Sequence, residues 1–514
     1  MNVLLVSLQR DLDIIGLKAL HHFLLDKGQN SYLLYLPELD ADAPGAIANL
    51  KAFVSDLSPG VIGLSLMMSE FEAAKTIAPW LKAWCPDAPM VWGGIHPTTA
   101  PEMCLDYADY VCIGEGEHTM RDFVAAIESG ESVRSIRNLC FRESGSLIRN
   151  PLYPLIEDLD SLPIARQISP NSFIQSRRRV VAVDKRHLSR YKRYRGGVYK
   201  IMTSRGCPYG CTYCCNQFLR GLYGTWTVRR RSPDHVMAEL EYAVREGPTV
   251  EYVDFIDDCF LSCSIEYLKA FGDAYKRRIG RPFIAKGTPR YFTREKIETA
   301  IESGMVWANM GLQSGSDTVC AEVYERPIRA EDFIGAARLL QEYPVATYFD
   351  VIVDNPFETR EDTLATVETL MAVPKPFYAL IFSLTFFPGT RIQARAAKEC
   401  PEKLTEALHK DYLVRDATPV NALVELAPTL HLFLMKRLVA RFRSAPESRL
   451  TRLMIWLAQL YAHAILEPIT YFRLIRRTQK GSLVRTLMVL PVYFNRAITY
   501  YVNSFGFAKR RQRP

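Results

Sequence analysis

Over the first 135 residues, short runs of aliphatic and β-branched side chains alternate with stretches whose apolar positions recur every three or four residues. Residues 2–7, 31–36, 61–66, 90–92 and 110–113 read as buried strands, and 17–27 and 71–84 as amphipathic helices. That alternation predicts a parallel, doubly wound sheet. Gly16, Ser65, Gly93, Gly94, Gly114, Glu115 and Gly116 fall just after predicted strand ends. Ligands of open α/β sheets sit at that carboxyl edge. A single such glycine is an ordinary turn residue, whereas several on one edge point to a ligand crevice.

Residues 136–195 show no clear period and include the turn-rich EDLDSLP at 157–163, which reads as a linker. Tyrosines interleave with basic residues at 177–179 and 185–195. A solvated surface, or a loop meeting an anionic ligand, accounts for these runs better than nucleic acid. A second strand–helix series follows, with strands at 199–203, 252–256, 283–286, 306–310, 347–353 and 378–384. It predicts a partial (β/α)6 barrel with its chemistry at the carboxyl ends of the strands. Past residue 400 the chain turns helical, aromatic and basic. The expected class is α/β: a doubly wound, Rossmann-like domain (1–135), a linker (136–195), the barrel (196–395) and a helical C-terminal domain (396–514).

Of the 514 residues, 48% are hydrophobic and 23% charged, an ordinary globular balance that leaves room for two or three cores. The apolar start lacks a basic region and a cleavage site, so it reads as a strand and not as a signal peptide. The longest uncharged apolar run, 453–466, is broken by Gln459 and His463. It falls short of the roughly 20 residues of a membrane span. A cytoplasmic or membrane-peripheral protein is expected. The net charge of +8 is uneven: residues 431–514 hold 16 Lys or Arg against Glu447 and Glu467, so the rest is acidic. Such asymmetry concerns partners and not fold.

Twelve cysteines without a secretory signal predict free thiols in a reducing compartment. Eight are scattered and read as small buried residues. The other four lie in IMTSRGCPYGCTYCC, residues 201–215, a strand followed by a Gly/Pro-rich loop with C-x3-C-x2-C. Thiolates ligate iron–sulfur clusters. Cys207, Cys211 and Cys214 can hold three irons of a four-iron cube and leave the fourth open. Zinc wants four ligands, usually in two separated pairs, and no second such pair accompanies this loop. Cys215 is a further thiol, but its adjacency to Cys214 makes convergence on one metal awkward.

This motif, with Tyr213 before its last cysteine and a barrel strand ahead of it, resembles the radical S-adenosylmethionine (SAM) superfamily. The resemblance implies a [4Fe–4S] cluster on Cys207, Cys211 and Cys214. Its open iron would chelate the SAM amino and carboxylate groups, and reductive cleavage would release a 5′-deoxyadenosyl radical. Later segments match the same family. DFIDDCF (254–260) resembles the second-strand motif and implies Asp257 and Asp258 near the SAM amino group. GLQS (311–314) resembles the fourth-strand motif and implies Gln313 and Ser314 near the SAM ribose or carboxylate. DVIVDNPFET (350–359) resembles D-x-I-x-G-x-P-x-E-T, with Asp354 where glycine is usual and Phe357 where it is common. FPGT (387–390) matches the end of the barrel. Arg290 and Arg326 suit either the SAM carboxylate or structural salt bridges.

The preceding domain resembles the cobalamin (B12)-binding domain of class B radical SAM enzymes, through GLSLM (63–67), GGIHPT (93–98) and GEGE (114–117). The resemblance implies that Ser65 hydrogen-bonds the corrinoid tail, that Met67 is a further cobalamin-binding residue, and that Gly93 and Gly94 leave backbone room. It also implies that Gly114, Glu115 and Gly116 hold the ribose or phosphate end. DLDIIG (11–16) has Asp13 where the family's cobalt-ligating histidine would stand, which implies cobalt without that imidazole. His96 reads as a structural or tail-contacting residue. No G-x-G-x-x-G follows the first strand, which disfavours a nicotinamide site.

The expected cofactors are therefore a [4Fe–4S] cluster, SAM and cobalamin. The function implied is methylation of an unactivated carbon through methylcobalamin and a 5′-deoxyadenosyl radical. An oxidative cyclase or ring-rearranging enzyme would use the same cofactors. A non-catalytic cobalamin sensor is the alternative of a different class, and the intact cysteine motif speaks against it. Expected partners are a small, hydrophobic substrate and an electron donor such as flavodoxin or ferredoxin. Nucleic acid is not expected. The stretches 430–443 and 449–477 and the final KRRQRP fit either a helical cap over the barrel or an interfacial surface for anionic lipid.

Overall fold

The computed structural model describes residues 1–39, 42–192, 197–225, 227–247, 250–404 and 412–478. The end of the basic run at 185–195 and the terminal KRRQRP lie outside the described residues. One compact unit comprises residues 1–260, 269–282 and 386–399; the other comprises 261–268, 283–385 and 400 onward.

In the first unit, β1 (Asn2–Ser7), β2 (Asn30–Tyr35), β3 (Val61–Ser65), β4 (Met90–Gly93) and β5 (Tyr110–Cys112) form the expected parallel sheet. Alternation along β1 splits the core in two. Leu4 and Val6 join a cluster with Ile62, Leu64 and Trp92, while Val3 and Leu5 join one with Val61 and Phe123. Helix Phe71–Trp84 covers the first face with Ala74, Ile77, Ala78 and Leu81. Helices Ile15–Asp26 and Glu117–Ser129 cover the other. Each buried aliphatic or Phe side chain contributes about 1.5–3 kcal/mol. Gly130, at φ +73°, terminates Glu117–Ser129 in the left-handed conformation common at helix ends.

The stretch 136–195, expected as a linker without a period, instead adds four strands to this sheet. β6 (Leu139–Glu143) pairs antiparallel with β5, and β7 (Ser146–Arg149) with β6. β8 (Ser172–Ser176) runs parallel to β2, and β9 (Arg179–Ala182) returns antiparallel to β8. The nine strands are ordered β7-β6-β5-β4-β3-β1-β2-β8-β9. Both added pairs are hairpins with two left-handed turn residues: Ser144 and Gly145 in one, Arg177 and Arg178 in the other. Such turns match the twist of the flanking strands. Arg177 and Arg178, read as part of a charge run, are therefore a hairpin turn.

β10 (Val198–Ile201) follows, and β11 (Ser204–Arg205) pairs antiparallel with β12 (Arg229–Arg230). β13 (Tyr252–Phe255) lies parallel to β10. The second unit carries β14 (Phe283–Gly287), β15 (Met305–Gln313), β16 (Ala346–Val353) and β17 (Tyr378–Ser383), each parallel to the next. β15 runs past its expected end through a register irregularity between Gly311 and Gln313. The same unit ends in helices Pro419–Leu426, Leu432–Ser444, Arg449–Tyr461 and Glu467–Thr478. Helix Arg449–Tyr461 turns Leu453, Trp456, Leu457 and Leu460 outward, at 40–50% exposure. Among the described residues no helix is long and apolar enough to cross a membrane.

Candidate cofactor site

A cavity of about 430 Å³ opens in the first unit at the carboxyl edge of the nine-stranded sheet. Its volume falls within the roughly 300–1,000 Å³ typical of ligand sites. One wall is made by Gly16, Ser65, Gly93, Gly94, Gly114 and Gly116, residues that follow or end β1, β3, β4 and β5. Apolar side chains such as Leu5, Ile15 and Met120 floor it. Gly206, which opens the cysteine loop, and Cys215 and Asn216, which begin the helix after it, line the same space, as does Asp258 after β13; Cys207, Cys211 and Cys214 are not among the lining residues.

Two of the edge glycines of the sheet are demanded by the backbone. Gly94 has φ +93° and ψ −172°, a region closed to other residues, and a Cβ there would stand 2.8 Å from the Leu66 carbonyl oxygen. Gly114 has φ +77°, and its missing Cβ leaves a notch that the Tyr223 hydroxyl fills. Gly16 differs, since a Cβ there would meet nothing within 4 Å.

The remaining expected residues divide. Met67 is 44% exposed and is not among the residues lining the cavity. His96 is buried against the Phe71 ring at 4.7 Å, and burial pulls its pKa down; it too lies outside the lining. Asp13, at the family's histidine position, is buried in an ion pair with Lys192 at 2.8 Å and faces Lys200 at 3.5 Å. Burial raises its pKa, but Lys192, Lys18 and Lys200 outweigh that and hold it below the usual carboxylate range. Asp13 is thus engaged by lysines.

The two aspartates after β13 go opposite ways. Asp257 is buried and accepts from the Thr203 N–H and hydroxyl and from the Ser204 hydroxyl, so it fixes the turn after β10. Asp258 is exposed to the cavity. In the second unit, Gln313 has φ +69° at the end of β15, and the Ser314 hydroxyl is buried, accepting from the Ser316 N–H. Arg326 is buried and donates to the Gly311 carbonyl at 2.7 Å. Asp354 sits at φ +58°, the reason glycine suits that position in the family motif.

On the loop, Cys211 is buried and Cys207, Cys214 and Cys215 are half-buried. Burial pushes the Cys207 thiol up to about 12, with Asp258, Cys259 and Cys214 adding to it. Cys214 moves down because the Cys215 thiol hydrogen-bonds to it, which outweighs burial. Among the described residues no three His, Cys, Asp or Glu side chains are already arranged around a metal position. The donor set nonetheless fits an iron–sulfur cluster: three thiols within eight residues, with no competing carboxylate or imidazole on the loop. The loop is braced from the 386–399 segment, where Arg391 donates to the Gly210 carbonyl and the Ile392 N–H to that of Thr212. A glycine-walled, largely apolar edge cavity likewise fits a bulky corrinoid.

Residues 1–124 match the family model described as the B12 binding domain, and residues 201–370 match that of the radical SAM superfamily. The chain belongs to the cobalamin-binding radical SAM enzymes. Its domains, an N-terminal B12-binding domain, a radical SAM half-barrel of parallel strands and a helical C-terminus, imply cobalamin, SAM and a [4Fe–4S] cluster as cofactors. An uncharacterized methyltransferase of Pyrococcus horikoshii is 25% identical over 353 residues, covering 67% of this chain and 71% of that protein. The anaerobic magnesium-protoporphyrin IX monomethyl ester cyclase of Synechocystis is 27% identical over 263 residues, covering 48% of this chain and 47% of the cyclase. The radical SAM methyltransferase TsrM of Kitasatospora setae, solved with tryptophan and a SAM analogue, aligns with a TM-score of 0.63. That alignment covers 78% of this chain and 76% of TsrM at 22% identity, a likeness of fold alone.

Sequence reading missed Arg205, Arg229 and Tyr223, which all line the cavity. Arg205 donates to Glu115 at 2.9 Å and to Glu117 at 2.5 Å; Arg229 donates to Glu115 at 2.8 and 3.1 Å. Burial would raise the Glu115 pKa, but the two guanidiniums hold it below the usual range. The only sequence signals were the arginine ahead of Cys207 and the run 229–231, neither of which names a partner.

Proposed function

We propose that this cobalamin-binding radical SAM enzyme is a C-methyltransferase acting on an unactivated carbon of a small, hydrophobic substrate. The observation that carries the reading is one cavity lined both by the edge glycines of the B12-binding domain and by Gly206 and Cys215, which flank the three motif cysteines. The methyltransferase relatives support the reaction type. When bound, the cofactors supply a methyl group and one-electron chemistry that side chains cannot provide.

This chain's residues bind and orient. Cys207, Cys211 and Cys214 ligate the cluster, which needs an electron donor such as flavodoxin or ferredoxin. Asp258, turned to the cavity, offers a carboxylate to the SAM ammonium, while Asp257 holds the turn beneath it. Gln313 and Ser314 serve the SAM ribose or carboxylate. Ser65, Gly93 and Gly94 admit the corrinoid, and apolar neighbours exclude water. The outward Leu and Trp residues of helix Arg449–Tyr461, with the basic residues around them, support peripheral contact with anionic lipid.

The cyclase relative favours a second reading, oxidative ring formation with the same cofactors. Methyl-labelled SAM separates the two. Incubation of the reduced, reconstituted protein with lipid, tetrapyrrole or peptide extracts should give a labelled product heavier than its substrate by about 14 Da, the mass of one added CH2 unit, plus the mass increment of the label. A product that has lost hydrogen and carries no label replaces the methyltransferase reading with the cyclase one.

A further inference from the structure

Glu115, which family resemblance assigns to the corrinoid, is occupied by the iron–sulfur half of the site. Arg205 and Arg229 are direct partners in the β11–β12 ladder. That ladder closes the base of residues 206–228, the segment that contains all three motif cysteines. The Glu115 carboxylate grips both arms at once, by one bond from Arg205 and a two-pronged contact from Arg229. It also accepts from the Ile156 N–H at 3.0 Å. Four donors therefore engage its two oxygens, all within the first unit.

The backbone of the same residue reaches the far end of the segment. Helix Cys215–Tyr223 starts on the motif, with Cys214 as its N-cap, and ends at Tyr223. The Tyr223 hydroxyl sits over Gly114 and accepts the Glu115 N–H at 3.1 Å. One residue of the B12-binding domain thus fastens the cysteine segment at its base and at the end of its helix.

We propose that Glu115 is a positioning residue for the iron–sulfur loop and makes no essential contact with cobalamin. The inference rests on the proposed two-cofactor reading. Arginine held by two parallel bonds is fixed in direction as well as distance, so the clasp sets the orientation of the loop. Among the described residues, loss of the charge leaves Arg229 with only the Ile156 carbonyl and Arg205 with only Glu117, so the two arms are no longer held to one carboxylate and the base of the loop should loosen.

The test uses the full chain reconstituted with iron, sulfide and hydroxocobalamin. For Glu115→Gln, cobalamin affinity by absorbance titration should stay within about twofold of wild type. Release of iron to a chelator should accelerate about tenfold or more, and the reduced-cluster EPR spectrum should change. Arg229→Lys keeps the charge but not the two-pronged contact, and should accelerate iron release in the same direction. It also serves if the Gln variant fails to fold. Cobalamin affinity reduced tenfold with unchanged iron release and EPR would overturn the proposal and return Glu115 to the corrinoid. Wild-type protein that takes up neither cluster nor cobalamin would instead sink the functional reading itself.

Discussion

The Asn421 side-chain amide donates to the Asp354 carboxylate at 2.6 Å, joining the residue in the family's glycine position to a C-terminal helix within the second unit. Asp354 also accepts from the Ser383 hydroxyl at 2.7 Å and from the Asp416 N–H at 3.0 Å. Asp354→Gly would relieve the left-handed backbone but abandon these donors. Hydrogen bonds to a charged group contribute about 1.5–3 kcal/mol each in favourable cases, against about 1 kcal/mol of backbone relief. Glycine should therefore destabilise the protein, and Asp354→Ala, which loses both, should be worse. Urea unfolding would refute this if glycine proved the most stable of the three.

Gly16 and Gly94 line one cavity but should fail differently. Gly16 has open space around it, so Gly16→Trp should leave the melting temperature nearly unchanged while filling the cavity and abolishing cobalamin uptake. Gly94→Ala should cost about 1–3 kcal/mol, because its backbone conformation belongs almost wholly to glycine. Thermal melts paired with absorbance titrations distinguish the two. A Gly16→Trp protein that still binds cobalamin normally would place the corrinoid elsewhere.

Ala substitution of Cys207, Cys211 or Cys214 should each abolish stable cluster incorporation, measured as iron and sulfide per chain. Cys215→Ala should retain both. Cys215 lines the cavity at the start of its helix, and its hydrogen bond to Cys214 lowers the Cys214 pKa without making Cys215 a ligand. A cluster lost only in the Cys215 variant would reassign the fourth thiol.

His21 is fully buried between the Ser31 and Ser169 hydroxyls, 2.8 and 2.9 Å from its ring nitrogens, and burial pulls its pKa down to about 3. A lowered histidine pKa means the unfolded chain takes the proton first. The stability held at neutral pH is then lost progressively as pH falls below about 6.5, reaching about 2 kcal/mol at pH 5 for this residue. Urea unfolding at pH 7 and pH 5 should show that loss, reduced in His21→Asn. An equal loss in the variant would assign the effect to other groups.

Much of the first 112 residues was legible because each strand there is a compact apolar run followed by small residues. β6 to β9 were not, because Arg, Glu, Ser or Gln interrupts or bounds each apolar run and their turns carry Ser or Arg at left-handed positions. Within the site, the cysteine spacing and edge glycines were readable since their chemistry is local. The clasp was hidden because Arg205 and Arg229 lie 90 and 114 residues from Glu115. Asp257 and Asp258 are neighbours with opposite surroundings, and only the backbone at the end of β13 decides which one turns inward.

The position of β8 has a consequence for dissecting the chain. β2 gains its second neighbour only from a strand that arrives at residue 172, and β5 gains its own only from residue 139. A fragment cut at residue 135 would present both of these strands as bare, apolar edges with unpaired amides, the surface on which other chains add. The B12-binding half should therefore be handled with its sequence through Ala182, where both borders of the sheet are antiparallel hairpins.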